Sequence, residues 1–361
     1  MTAPEASSAA SGSLSGTGTQ RPEATQMFRE AAESAASVER QLARNQAALR
    51  DLGKLLRDRP PRALVTCARG SSDHAATFAR YLVETRLGLL TASLSPSISS
   101  VYGMQQDLRD CVFIAISQSG QSPDLLAAAA AARTAGATIV ALVNVESSPL
   151  AQAADHVVPL CAGAETSVAA TKSFIASLAA CVQLVANWTD DRALCDELAR
   201  TPERLAHAWN LDWSAAITRL ESVDRLFVLG RGLGLGVAQE SALKLKETCG
   251  IHAEAFSTAE VRHGPMALLG SKVPALIFAQ NDATLPGQQA LARDIAQSGV
   301  PVLFAGDAPA GATSLPTLAS PPEIAPLLFA QSFYRTANAI SIARGFDPDR
   351  PPRLNKVTET L

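Results

Sequence analysis

Short runs of consecutive apolar residues alternate along the chain with stretches whose apolar positions recur every three or four residues. The runs at 63–67 (ALVTC), 89–94, 111–116 (CVFIAI), 137–143 (ATIVALV) and 156–160 predict strands buried on both faces. Helical spacing falls between them at 73–85, 98–107 and 123–135, and a long helix covers 171–188. Strands alternating with helices through short connections predict a parallel, doubly wound α/β sheet. Upstream, Met27, Phe28, Val38, Leu42, Leu49 and Leu52 are spaced for one or two amphipathic helices, which Asp58-Arg59-Pro60-Pro61 ends. Residues 1–25, mostly Ala, Ser, Gly and Thr, predict a disordered tail.

The pattern restarts at Asp224. DRLFVLGRG echoes the strand and turn at 63–72, VPALIFAQND echoes 111–117, and VPVLFAGD echoes ATIVALVN. This is one α/β unit duplicated at a period of roughly 160 residues, too long for a solenoid repeat. The predicted organisation is a tail (1–25), amino-terminal helices (26–60), a first domain (61–195), a helical connection (196–222), a second domain (223–345) and a carboxyl-terminal tail (346–361).

The most informative stretch is CVFIAISQSGQSPD, 111–124. A strand breaks into Ser117-Gln118-Ser119-Gly120-Gln121-Ser122 just before a helix, which makes an anion cradle. Ser117, Ser119 and Ser122 supply hydroxyl donors, and Gly120 allows an unusual backbone angle. No Lys or Arg lies between 117 and 124, so neutral donors are expected to hold a phosphate there. A second hydroxyl-rich turn, Gly70-Ser71-Ser72, follows the first strand. Both turns fall at carboxyl ends of strands, where doubly wound sheets bind ligands. The duplicate has Ala279-Gln280-Asn281-Asp282 in place of the cradle, and is not expected to bind phosphate there.

Composition narrows the function classes. The chain has 361 residues, 47% hydrophobic and 18% charged, with net charge −3, so nothing in its charge points to nucleic acid or membrane. Six scattered cysteines lack CxxC spacing, and five histidines form no HxxxH pair, which argues against a disulfide frame or a metal site. With no apolar leader and no run of 18 apolar residues, a cytoplasmic location is expected. GRGLGLG at 230–236 does not give GxGxxG in any frame, which argues against a dinucleotide site. Lys244 and Glu247, three apart on a helix, read either as an exposed ion pair or as a carboxylate placed for proton transfer. His263, before Gly-Pro, reads either as a structural histidine or as an acid/base near neutral pH.

Five stretches in order from about residue 60 to the end carry a resemblance: ARGSS, SQSGQS, ETSVAATKSF, ALKLKETCGIHAEAFSTAEVRHGP and LNKVTETL. Together they resemble the sugar isomerase (SIS) domain family, and within it the double-SIS isomerase module of glucosamine-6-phosphate synthase. The resemblance implies two flavodoxin-like SIS domains in tandem. It implies that Ser117, Gln118, Ser119 and Ser122 hold a sugar phosphate, and that Gly70, Ser71, Ser72, Val168 and Ala169 line the sugar. It assigns Glu247 as the base between C1 and C2, with Lys244 beside it. His263 would open the sugar ring from the neighbouring subunit of a homodimer, and Lys356 would engage the ketose carbonyl, with Leu354, Val357 and Leu361 as apolar anchors. No metal or organic cofactor is implied, because the carbonyl and imine serve as electron sink. Two departures stand out. Thr2 follows Met1, and only about sixty residues precede the first strand, so glutamine is not the expected source of ammonia. Ala170 stands where the synthase usually carries Ser. The whole looks like the stand-alone group that deaminates hexosamine phosphates. The implied activity is glucosamine 6-phosphate to fructose 6-phosphate and ammonia. Galactosamine 6-phosphate deamination or isomerisation, or a sugar-phosphate sensor without chemistry, stays open.

Overall fold

The computed structural model describes residues 21–356. Within the described residues, two helices precede the first sheet, α1 (Gln26–Ala32) and α2 (Ser34–Asp58). The first α/β unit follows as β1 (Ala63–Cys67), α3 (Ser71–Leu87), β2 (Thr91–Ser93), α4 (Ser97–Ser100), β3 (Cys111–Ser117), α5 (Pro123–Thr134), β4 (Thr138–Val143), α6 (Pro149–Ala153) and β5 (His156–Pro159). Its five strands are parallel, in the order β2-β1-β3-β4-β5. A long α7 (Lys172–Trp188) and three short helices, α8 (Arg192–Ala199), α9 (Thr201–Ala208) and α10 (Ser214–Leu220), lead to the second unit.

That unit runs β6 (Arg225–Gly230), α11 (Gly234–Cys249), β7 (His252–Ser257), β8 (Ala275–Phe278), α12 (Leu285–Gln297), β9 (Val302–Ala305), β10 (Thr313–Leu315) and α13 (Ala325–Ala343). Its strands are again parallel, ordered β10-β9-β8-β6-β7. Numbered within its own unit, this repeats the order of the first sheet. The chain therefore forms the expected two doubly wound sheets in tandem.

The strands are buried as their sequences demand; every position of β3 is inside. Helices α3, α7, α11 and α13 pack on one another, and their side chains merge into one core that includes Phe78, Phe174, Phe333 and Tyr334. Almost every residue of α7 is buried, which is why it is apolar all round. Gly236 sets the approach of α11 to α3: a Cβ there would lie 2.6 Å from the His74 carbonyl oxygen. No helix among the described residues is long and apolar enough to cross a membrane.

Several elements differ from expectation. The helix expected at 98–107 ends at Ser100. Val101, Tyr102 and Met104 beyond it are exposed and Gly103 is left-handed, so no apolar face packs to sustain helix. Helix α3 begins at Ser71, two residues early, which puts Ser71 and Ser72 in its first turn. Strand β2 is shorter than 89–94. Of the expected disordered tail, residues 1–20 lie outside the described residues, but the boundary at 25 is wrong. Pro22–Ala24 form a 3-10 turn, and the fully buried Thr25 caps α1 and hydrogen-bonds Asn338 at 2.7 Å. Sequence reasoning missed β7, whose HAEAFS mixes charge into an edge strand, and the three-residue β10.

Candidate active site

Strands β1 and β3 are the neighbours at which the order of the first sheet reverses, and both hydroxyl-rich turns leave their carboxyl ends. There, residues from both halves and the tail close a cleft of about 410 Å³. It brings together Gly70, Ser71, Ser72, Ser117, Gln118, Ser119, Ser122, Val168, Glu247 and Lys356. The volume lies within the range of small-ligand sites.

The turn after β3 leaves the protons of its hydroxyls free to donate. Ser117 Oγ accepts the Gly120 N–H at 2.9 Å, and Ser119 Oγ accepts the Gln121 N–H at 3.3 Å. Each oxygen is thus engaged as an acceptor and keeps its own O–H to donate. Ser122 occupies the N-cap of α5 without making a capping bond, so its hydroxyl is also uncommitted. Gly120 has φ +63°, and a Cβ there would collide with Ser148. The helix contributes less than expected, because Pro123 has no N–H and Asp124 Oδ1 takes the Leu125 N–H at 2.8 Å. A cation does line the cleft: Arg69. Its guanidinium forks onto the buried Asp124 at 2.9 and 2.6 Å, which neutralises much of its charge.

The second half contributes one face of α11. Glu240, Lys244 and Glu247 fall at i, i+4 and i+7, one above the other. Lys244, 1% exposed, lies 2.6 Å from Glu247 and 3.5 Å from Glu240. Glu240 also accepts from Ser71 (3.1 Å) and from the Tyr334 hydroxyl (3.0 Å), and pairs with His74 Nδ1 at 3.0 Å. Burial works against the Glu240 charge, but Lys244, His74 and Ser71 outweigh it and hold the carboxyl below its ordinary value. Burial likewise opposes the Lys244 charge, and Glu240 and Glu247 hold the ammonium above the ordinary lysine value. Only Glu247 of the three lines the cleft; Lys244 sits behind it.

The network has a pH signature. The Glu240 contribution is present above the ordinary glutamate value and fades as pH falls through its lowered folded value. The Lys244 contribution is present below the ordinary lysine value and fades as pH rises through its raised one. Glu240→Gln is expected to lower stability at pH 7 by about 3 kcal/mol, because it strips a buried ammonium of one counter-charge. Urea unfolding would check this, and the gap between parent and variant should narrow below pH 4.5.

A third wall is the loop between β5 and α7. Glu165 is buried there and accepts the Thr171 N–H (2.9 Å), the Ser173 N–H (3.2 Å) and the Ser173 hydroxyl (2.5 Å). Lys356 reaches it from the tail: its Nζ donates to the Ser167 carbonyl at 2.7 Å and lies 3.6 Å from Glu165.

Four expectations need correction or fall outside. Ala169 is fully buried and does not line the cleft; the next residue, Ala170, does, because the loop turns its neighbour outward. His263 is exposed in a 3-10 turn and does not line the cleft of its own chain. Leu354 lines the cleft but is 43% exposed, so it is no apolar anchor. Val357 and Leu361 lie outside the described residues. Glu165, Arg69, His74 and Tyr334 were not foreseen. Glu165 stood in the quoted ETSVAATKSF stretch, but nothing local marked its side chain as the partner of a lysine 191 residues away.

Comparison with known proteins agrees with this architecture. The family model described as SIS domain matches residues 59–187 and 219–310, more than half of the chain. Glutamine–fructose-6-phosphate aminotransferase [isomerizing] of Brucella abortus is 30% identical over 311 residues, 81% of this chain and 51% of that protein. The chain thus spans about half the length of the curated relatives it matches. A provisionally named phosphosugar isomerase from Silicibacter pomeroyi superposes with TM-score 0.87 at 40% identity, over 90% of this chain and all of that one. Glucosamine-6-phosphate deaminase from Thermotoga maritima superposes with TM-score 0.75 at 20% identity, over 93% and 100%, a likeness of fold.

Proposed function

The chain belongs to the SIS domain family, and from that premise we propose that it is a sugar-phosphate isomerase that converts glucosamine 6-phosphate and water to fructose 6-phosphate and ammonia. The observation that carries the reading is Glu247, a carboxylate in the same cleft as Ser117, Ser119 and Ser122, held from behind by a buried lysine. The names of the Brucella and Thermotoga proteins, a fructose-6-phosphate aminotransferase and a glucosamine-6-phosphate deaminase, support the substrate class.

In this reading Ser117, Gln118, Ser119 and Ser122 hold the phosphate, while Gly70, Ser71, Ser72 and Val168 face the sugar. His263 of a second copy assists ring opening to the aldehyde. Glu247 then takes the C2 proton and returns it to C1, so the aldosamine becomes a ketose imine. Water adds to the imine carbon and ammonia leaves. Lys244 fixes the position of Glu247, and Lys356 donates to the oxygen of the open-chain sugar.

Ammonia release from a panel of hexosamine phosphates, followed by a coupled assay, tests the reading. Release from glucosamine 6-phosphate, with fructose 6-phosphate formed in equal amount, is expected. Ketose formation without ammonia would reduce the reading to plain isomerisation, and release from galactosamine 6-phosphate alone would move the epimer. Ser119→Ala is expected to weaken sugar-phosphate binding roughly ten- to hundredfold, the worth of a hydroxyl bonded to a charged oxygen. Equal turnover of glucosamine and its 6-phosphate would remove the phosphate role of this turn.

A further inference from the structure

We infer that α1 is a bracket that sets the position of Lys356, with Asp349 and Glu30 as its two fastenings. Asp349 lies in the tail, seven residues before Lys356, and its carboxylate reaches the start of α1. Oδ2 accepts the Gln26 N–H at 2.6 Å and Oδ1 accepts the Met27 N–H at 2.7 Å. Thr25 Oγ1 takes the next donor, the Phe28 N–H, at 3.1 Å. An anion on the first donors of a helix is favoured by both hydrogen bonding and the dipole. The tail is stiff at this point: the Asp349 N–H donates to Asp347 Oδ1 at 3.0 Å, and Pro348, Pro351 and Pro352 flank it.

The other fastening lies one turn along α1. Glu30 is 1% exposed, and its carboxylate is spent on the active-site loop. Oε1 accepts the Thr166 N–H (2.6 Å) and hydroxyl (3.0 Å), and Oε2 accepts the Ser167 N–H (3.1 Å). The carbonyl of that same Ser167 accepts Lys356 Nζ at 2.7 Å. The connections therefore close a ring, from Asp349 through α1 and Glu30 to the 166–167 loop, across to Lys356 and back along the tail. A charged side chain near the end of a chain is held by a helix that lies before both matched SIS segments. Asp349 and Glu30 are positioning residues. Their effect on turnover rests on the role proposed above for Lys356; the bracket itself does not.

The test is acylation of lysines in the full chain with an N-hydroxysuccinimide ester of acetic acid, read by peptide mass spectrometry, alongside kcat and KM for glucosamine 6-phosphate. Lys54, exposed and far along the chain, is the internal control. Asp349→Ala and Glu30→Gln are expected to raise Lys356 labelling on the order of tenfold while Lys54 stays constant, since each removes charged hydrogen bonds from the ring. Asp349→Asn, which keeps one amide oxygen as acceptor, should fall between parent and Asp349→Ala. In turnover, kcat should fall with KM little changed, because the serine cradle is untouched. Unchanged Lys356 labelling in folded Asp349→Ala would overturn the bracket. Raised labelling with parental turnover would support the bracket and instead remove the proposed role of Lys356. If the buried Glu30→Gln variant does not fold, the half-buried Asp349 series carries the test.

Discussion

Glu247→Gln is expected to lose at least about a hundredfold in kcat while binding fructose 6-phosphate much as the parent does, since a placed proton carrier contributes roughly 10²–10⁴ in rate. The substitution keeps the shape of the side chain and removes only its basicity. Its structural cost should stay below that of Glu240→Gln, because Glu247 lines the open cleft with Lys244 as its partner, whereas Glu240 is fully buried among Ser71, His74, Tyr334 and Lys244. Activity and stability therefore separate. A variant that melts like the parent but turns over a hundredfold more slowly has lost chemistry. Solvent deuterium gives a second reading: the parent should exchange the C2 hydrogen of glucosamine 6-phosphate, and the variant should do so far more slowly. Turnover within about threefold of the parent would leave Glu247 only as the ion-pair partner of Lys244.

Deletion of residues 354–361 is expected to remove most activity and leave the melting temperature nearly unchanged. Among the described residues, the carboxyl terminus is fastened to the rest of the fold chiefly by α13 and by Asp349 on the start of α1. Beyond it, Leu354 is 43% exposed and has little burial to lose, so the stability loss should be well under the 2–5 kcal/mol of a core truncation. Lys356→Ala should reproduce much of the activity loss alone, because a single ammonium in the cleft does the work that the tail delivers. Borohydride trapping with fructose 6-phosphate separates two roles. A covalent adduct on Lys356 means that the amine forms a Schiff base, and lost activity with no adduct means that it donates a hydrogen bond. Parental kcat/KM in the deletion variant would sink the assignment of Lys356.

The fold was largely written in local sequence. Cys111–Ser117 and Thr138–Val143 are strands because a short, β-branched-rich run bounded by turn residues suits burial on both faces of a parallel sheet. The echo of 63–72 at 226–232 marks the second sheet in the sequence itself. Residues 98–107 misled because apolar spacing exists there without a surface to pack against. The site was legible where chemistry is local: a serine-rich turn after a strand declares itself. It was not legible where partners meet across the chain. Glu240 touches His74, Ser71 and Tyr334, and Glu30 touches Thr166 and Ser167, contacts that only the packing of α11 on α3 and α13 and of α1 beside the 165–171 loop creates. Ala169 was misassigned in favour of its neighbour because facing within an irregular loop has no period to read.

The two sheets share a strand order, yet the turn after β8 is filled by its own side chain. Gln280, 1% exposed, donates to the Arg231 carbonyl and to Asp282, both at 2.8 Å, across the position that corresponds to the serine cradle. Duplication supplies two equivalent cradles, and here one has been closed by a residue of the protein itself. On the reading proposed above, that closure leaves the holding turn to the first unit, while the second presents Glu247 from the helix after its own first strand. The cleft is lined from both units, so on that reading either one alone would carry a grip without a reagent or a reagent without a grip.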